Sequence, residues 1–220
     1  MKNFILALLI SGSVFVVSGL ARAQPVCDMA PESPYRMDVK IEVPPVQVNR
    51  NLGRDQLTAM GPHGPSSQVL GLMNRELELS MEREYGYVAV EDQYCYWVNS
   101  VMLTLRYRTL EVYVASEYSP RSCAYQAILA HEQRHVKIAK KYVTRYAPRL
   151  RSVLTSLRIP KPGSAKLAPS MDRARADMDT VFTELLAPVF EELNAEHQKA
   201  QARADLPQEY ARVRRRCKKW

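Results

Sequence analysis

Two long stretches with helical spacing of apolar residues most constrain the fold of this chain. Residues 122–157 repeat apolar side chains at three- and four-residue steps, and residues 171–205 do the same after a proline-containing loop. Each stretch predicts a helix of about 35 residues with one apolar face. The expected inward-facing residues are Ile128, His135, Ile138, Tyr142, Tyr146, Val153 and Leu157 in the first helix, and Met178, Phe182, Leu185, Val189, Leu193 and Ala200 in the second.

The residues before these helices have the composition of a small sheet. Residues 36–48 alternate apolar and polar positions and are interrupted by a Pro-Pro pair, which predicts a broken strand. Residues 94–107 and 110–116 are rich in Tyr, Val and Thr, and the short Arg108-Thr109 join between them predicts a hairpin. Residues 66–84 have helical spacing and predict a further helix.

These elements predict an α+β fold in which a small antiparallel sheet packs against the two long helices. The chain has 220 residues and is 46% apolar, a composition that is typical of a folded domain and excludes a disordered chain. Residues 1–23 combine a charged start, a short apolar run and small residues at A-x-A spacing, as in a cleaved secretory signal. We therefore expect one domain, residues 24–220, in the bacterial periplasm or outside the cell.

Export changes the interpretation of the cysteines. There are four, Cys27, Cys95, Cys123 and Cys217, and an even number in an oxidising compartment predicts two disulfides. Three connectivities are open. We favour Cys95–Cys123, which flank one predicted hairpin-to-helix passage, together with Cys27–Cys217, which would join the two ends of the chain. A thiolate zinc site is disfavoured because no C-x-x-C pair is present.

His131 and His135 frame an H-E-x-x-H motif inside the first predicted helix. A four-residue step is about one helical turn, so both imidazoles project from the same face and can bind one tetrahedral Zn²⁺. Glu132 extends beside the metal toward its water, where a general base is needed. The motif therefore predicts a zinc-dependent hydrolase with His131 and His135 as ligands and Glu132 as the catalytic base.

A hydrolytic zinc site needs a third protein ligand and keeps its fourth position for water. The extended form of the motif is absent, because Ile138 and Lys141 stand where Gly and His would follow. The second long helix is the natural source of the missing ligand. A helical wheel places His197 beside its apolar face, which makes His197 the expected ligand, with Glu196 and Glu192 on the other edge as alternatives.

Two segments near the motif carry a family resemblance. They are Ser122-Cys123-Ala124-Tyr125, which leads into the motif, and Cys95-Tyr96-Trp97-Val98 on the predicted strand before it. Over about residues 85–158 the chain resembles a bacterial family of uncharacterised secreted proteins that are regarded as zinc-dependent proteases. The resemblance implies export, bound zinc and peptidase-like activity.

The expected substrate is a peptide or a cell-wall amide, because both bonds yield to the same zinc chemistry. The alternative is a non-catalytic cell-envelope module with a structural metal and a basic surface. The net charge of +8 and the basic residues of segment 212–219 would suit a weak contact with an anionic envelope surface. An exported chain rarely meets nucleic acid, so none is expected as a partner, and the sequence gives no indication of the oligomeric state.

Overall fold

The computed structural model describes Cys27 and residues 33–61 and 68–220, so the predicted leader 1–23 lies outside the described residues. The described ranges contain five strands and four helices, which confirms the α+β class. No helix among them combines the length and apolarity needed to cross a membrane. In chain order the elements are β1 (Arg36–Glu42), β2 (Gln47–Asn49), α1 (Arg54–Met60), β3 (Gly71–Val90), β4 (Gln93–Val114), α2 (Cys123–Ser156), β5 (Lys166–Ala168), α3 (Met171–Ala204) and α4 (Pro207–Arg214).

The sheet is built around β4 and is mixed, so the prediction of a purely antiparallel sheet was wrong. β3 and β5 run antiparallel to β4, whereas β1 and β2 run parallel to it with the same register offset. β4 lies between β3 on one side and β1 and β2 on the other. After the turn that follows β3, it runs in the same direction as β1 and β2 and therefore pairs with them in parallel. As predicted, the Pro44-Pro45 pair separates β1 from β2.

β3 and β4 form one long hairpin that turns at Glu91-Asp92, so the predicted helix over 66–84 was wrong. The helical spacing of the first apolar residues gives way to strict alternation at Leu77, Leu79 and Met81. Pairing with β4 along the whole strand outweighs the weak local helical preference of this segment. The apolar side chains of the alternating stretch join the main core.

The predicted turn at Arg108-Thr109 was also wrong, because β4 runs through it without a break. The register instead passes from the pair Glu76 and Thr109 to the pair Leu77 and Tyr107, which leaves Arg108 as the extra residue of a β-bulge. The composition at Arg108-Thr109 therefore indicates a bulge within one strand rather than a turn between two strands.

Both long helices are confirmed. Ser122 and Ser170 cap them by accepting hydrogen bonds from the third backbone amides beyond, those of Tyr125 and Arg173. The predicted faces are correct in direction but displaced by one residue in places, since Leu186 is buried and Leu185 is exposed. The sheet and both helices share one core that includes Leu103, Leu105 and Val112 of β4, Val143, Leu150 and Leu154 of α2, and Phe182 and Leu193 of α3.

Two disulfides are present, as predicted, but the favoured pairing was wrong. Cys27 is bonded to Cys95, and Cys123 is bonded to Cys217. Cys95 lies in β4 just after the hairpin turn, whereas Cys123 begins α2 after the strand has run its full length, so the two are not neighbours. The Cys123–Cys217 bond instead joins the start of α2 to the segment that follows α4.

Candidate metal centre

The motif residues lie on a buried face of α2. His131, Glu132 and His135 are only 5%, 5% and 6% exposed. The one-turn spacing brings the Nε2 atoms of His131 and His135 to 3.2 Å from each other. The helix therefore presents two imidazole nitrogens at one point, as the sequence predicted.

A carboxylate that was not predicted completes this cluster. Asp205 is the C-cap residue of α3, and its Oδ1 lies 3.1 Å from Nε2 of His131 and 3.0 Å from Nε2 of His135. The three ligand atoms all lie within 4.8 Å of one another, and these are the residues that could jointly hold a metal ion within the described part of the chain.

The spacing and chemistry of these atoms fit a divalent zinc ion. In a tetrahedral site with metal–ligand bonds of about 2.0–2.1 Å, neighbouring ligand atoms are roughly 3.3 Å apart. The three observed separations are 3.0–3.2 Å, close to that value. Two imidazoles and one carboxylate are a ligand set that catalytic zinc uses, and they leave one position open for water.

Gln201 fixes the tautomer of His135. Its side-chain Nε2 donates to the backbone carbonyl of His135 at 3.1 Å, which identifies that end of the amide as the donor. The other end, Oε1, lies 2.5 Å from Nδ1 of His135 and must accept a proton from it. The neutral ring therefore carries its lone pair on Nε2, which faces His131 and Asp205, as metal binding requires.

His197, the expected third ligand, is completely buried but does not reach the cluster. Its Nε2 accepts a hydrogen bond from Nε2 of Gln201 at 2.7 Å, and its ring stacks on Tyr142 with centroids 5.4 Å apart. Gln201 thus stands between His197 and His135. His197 supports the residue that orients a ligand, and the prediction that it is a ligand itself is not met.

The two alternative ligands lie farther away still. Glu196 pairs with Arg145, and Glu192 pairs with Arg149. These arginines follow His135 on α2 by 10 and 14 residues, which places them about 15 and 21 Å along the helix axis. Both glutamates are consequently committed to the opposite half of the helix pair.

One signal in the sequence could have identified Asp205. It lies eight residues after His197, two four-residue steps along the face that also carries Leu193 and Gln201. Pro207 follows two residues later and ends the helix at this point. A helical wheel extended to the predicted end of the second helix would have placed a carboxylate there.

Glu132 lies against the beginning of β3. A β-carbon at Gly71 would be 2.5 Å from Cγ2 of Ile128 and 2.8 Å from Oε1 of Glu132, so only glycine lets the strand approach this closely. The backbone N–H of Met73 faces the Glu132 carboxylate and slightly lowers its pKa. Burial raises the pKa of Glu132 to about 7, an effect that the nearby His135 partly opposes and that the negative charge of Asp205 reinforces.

Asp205 and His135 also shift each other's pKa. Burial by itself would raise the pKa of Asp205, but hydrogen bonds from His131 and His135 outweigh it and hold that pKa well below its usual range. Burial disfavours protonation of His135, yet the same carboxylate raises the pKa of this imidazole. Burial, aided by the charge of Arg75, lowers the pKa of His197 to about 4. These surroundings favour the charged forms of Asp205 and His135 and the neutral form of His197.

The cluster opens into a cleft of about 800 Å³. β3 lines one wall of this cleft, and α4 with the C-terminal segment lines the other. Tyr210 of α4 donates a hydrogen bond from its hydroxyl to Oδ1 of Asp205 at 3.0 Å, and its ring lies 5.4 Å from that of His131. The ion pair between Arg134 and Glu209 and the Cys123–Cys217 bond fasten this wall to α2.

The predicted basic segment borders this cleft. Arg214 and Trp220 line it, and the cationic side chains at 212, 214–216, 218 and 219 are exposed.

Comparison with models of protein families, with curated proteins and with solved structures finds no match to this chain.

Proposed function

We propose that this protein is an exported zinc-dependent hydrolase, most specifically a metallopeptidase whose H-E-x-x-H helix is organised as in zincins. The observation that carries the proposal is the convergence of Nε2 of His131, Nε2 of His135 and Oδ1 of Asp205 beside the buried Glu132. The substrate in this proposal is a peptide or a cell-wall amide.

The three clustered side chains would hold the zinc ion. Bound zinc supplies Lewis acidity, which lowers the pKa of water and polarises a carbonyl. His131 and His135 bind through Nε2 and Asp205 through Oδ1, and Gln201 keeps His135 in the required tautomer. His135 is thus oriented by the fold before a metal arrives.

Glu132 is the general base of the proposal. It accepts the proton that leaves the attacking water and passes it to the departing amine. In the metal-free chain burial raises the pKa of Glu132 to about 7, and a bound zinc ion would lower it toward the ionised form that a base requires.

Tyr210 is the group best placed to stabilise the developing oxyanion. Its hydroxyl already donates to Asp205 at the cluster, and a donor aimed at developing negative charge stabilises it in the transition state. A Tyr210→Phe variant should retain zinc and lose about 100-fold in kcat. Unchanged kcat in that variant would remove Tyr210 from the mechanism.

The edge of β3 offers a surface for an extended substrate. Within the described residues β3 pairs only with β4, so its second edge is free. Leu70 accepts from the amide of Ala115, and alternation along the strand then directs the backbone groups of Gly71, Met73 and Arg75 away from β4. A peptide that added to this edge as a strand would run beside Glu132.

Two further parts of the proposal concern location. All four cysteines are in disulfides, as suits a chain that folds in an oxidising compartment such as the periplasm or the medium. The exposed cations after Val213 could give weak contact with an anionic envelope surface. Such a contact should weaken at high salt, and binding to anionic vesicles that is insensitive to salt would contradict it.

The test of the proposed function compares three forms of the full chain, expressed with its own leader and loaded with zinc. A peptide library should be cleaved by the wild type and by Gln133→Ala, which alters an exposed neighbour on the same helix. Glu132→Gln should bind one zinc and lose at least about 100-fold in turnover. Equal cleavage by Glu132→Gln would contradict the mechanism, and stoichiometric zinc without any cleavage would favour the envelope module.

A further inference from the structure

Arg75 is a cationic side chain within the cleft. It lies on β3 opposite Leu110 of β4, four residues beyond Gly71, where the strand packs against Glu132. Its side chain lines the same cleft as His135, Glu132 and Gln201. It is half-buried, so part of its guanidinium charge is withdrawn from water.

The described residues offer this guanidinium no carboxylate. The other arginines of the hairpin are all in ion pairs, Arg83 with Asp179, Arg106 with Glu78 and Arg108 with Glu76. Burial lowers the pKa of Arg75, because its charge is partly desolvated without an acidic partner. Leaving a desolvated charge unpaired is costly, which is why such groups usually serve a ligand or a partner.

The charge of Arg75 affects the pKa of a residue next to the metal cluster, His197. It contributes to the low pKa of His197, whose support of Gln201 leads to the ligand His135. The cleft therefore presents a guanidinium on its β3 wall, the same wall that Glu132 packs against at Gly71. A planar guanidinium matches a carboxylate through two parallel hydrogen bonds, and a neutral or basic group in that position would leave its charge uncompensated.

We propose that Arg75 binds a carboxylate of the substrate and makes the enzyme selective for peptides that present a carboxylate at this position. This inference rests on the proposed function, since it assigns the substrate class of the same cleft. The carboxylate can come from an Asp or Glu side chain or from the C-terminus of a peptide. The first source makes the enzyme an endopeptidase with acidic specificity, and the second makes it a carboxypeptidase.

A binding experiment tests this inference without turnover. The zinc-loaded full chain is titrated calorimetrically with acetohydroxamate and with the monohydroxamates of succinate, glutarate and adipate, each beside its terminal amide. At least one carboxylated probe should bind about 10- to 100-fold more tightly than its amide, the range of a charge-assisted pair. Arg75→Met should abolish this difference. Arg108→Met should keep it, because that variant removes the same charge from the exposed face of the sheet.

The outcomes separate the inference from the proposed function. Failure to bind zinc or acetohydroxamate would overturn the proposed function and this inference with it. Binding of the hydroxamates with no advantage for the carboxylated probes, or an advantage that survives in Arg75→Met, would overturn the inference alone. If Arg75→Met does not fold, Arg75→Lys serves instead, and it should reduce the advantage because an ammonium cannot pair in the bidentate manner.

Peptide cleavage then distinguishes the two sources of the carboxylate. Peptides with an internal Glu are compared with Gln analogues, and peptides with a free C-terminus are compared with amidated ones. The wild type should lose about 10-fold or more in kcat/KM in one of the two comparisons, and Arg75→Met should lose that preference. Equal cleavage in both comparisons by a wild type that cleaves peptides would contradict selectivity for a carboxylate.

Discussion

The two long helices contribute to one site in different ways. α2 and α3 have the same length of 34 residues, the same Ser cap and one internal proline each. α2 supplies His131, Glu132 and His135 from little more than one turn. α3 supplies its support from residues spread over two turns, and its ligand comes from the cap that ends the helix. The contribution of α2 is encoded by local spacing, whereas the contribution of α3 depends on how the two helices pack together.

The register in which α3 packs against α2 determines which α3 residues reach His131 and His135. Buried side chains in the shared core, Leu150 and Leu154 of α2 with Phe182 and Val189 of α3, fix the far half of the helix pair. With that half fixed, Gln201 meets His135 and Asp205 meets both histidines. A buried histidine on α3 therefore becomes a support, whereas the C-cap residue that follows the helix becomes a ligand.

The largest expected effect is a difference in zinc affinity between variants of Asp205 and His197, the ligand and the support that α3 supplies. Asp205→Ala should lose zinc affinity by more than the roughly 10- to 100-fold that loss of an outer-shell partner causes, because it removes a ligand. His197→Ala should keep one zinc per chain after dialysis. Metal analysis of both variants beside the wild type is the measurement. Zinc lost only from His197→Ala would reverse the assignment of the two residues.

Gln201 provides the next effect, which is smaller. Gln201→Leu removes the acceptor for Nδ1 of His135, so zinc affinity should fall about 10- to 100-fold while the ligands remain. Gln198→Leu is the matched control, because that glutamine is exposed on the same helix. Competition with a zinc chelator measures both affinities. A similar loss in the two variants would show that Gln201 has no special part in orienting His135.

His197 should also make stability depend on pH. Its pKa is about 4 in the folded chain, and an unfolded histidine titrates near ~6.5, so the unfolded state binds more protons between these values. The free energy of unfolding should therefore fall as pH is lowered from about 6.5 toward 4, by at most ~3 kcal/mol. In zinc-free protein, His197→Gln should be less sensitive to pH across this window. Identical slopes for the two proteins would contradict a neutral buried His197.

The helix caps give the smallest expected effect and sharpen the comparison between the helices. Ser122→Ala and Ser170→Ala each remove one hydrogen bond to a backbone amide, that of Tyr125 or of Arg173. Each variant should lose about 1 kcal/mol in unfolding free energy. Neither should change zinc stoichiometry, because both caps lie outside the metal cluster. Thermal unfolding and metal analysis check the two statements, and zinc loss in either variant would contradict them.

The helices and half of the site could be predicted from the sequence because their information is local. Periodicity located α2 and α3, and the four-residue step placed His131 and His135 together. The sheet could not be predicted in the same way. The segment that became β3 has helical spacing at its start, and only long-range pairing with β4 makes it a strand. Asp205 and the disulfide pairs likewise depend on which distant elements meet.

A crystal of the zinc-loaded full chain, measured at the zinc absorption edge, tests the central claim most directly. The account predicts one anomalous peak about 2.0–2.2 Å from Nε2 of His131, Nε2 of His135 and Oδ1 of Asp205. A peak coordinated by His197, Glu192 or Glu196, or no peak beside Glu132, would contradict it.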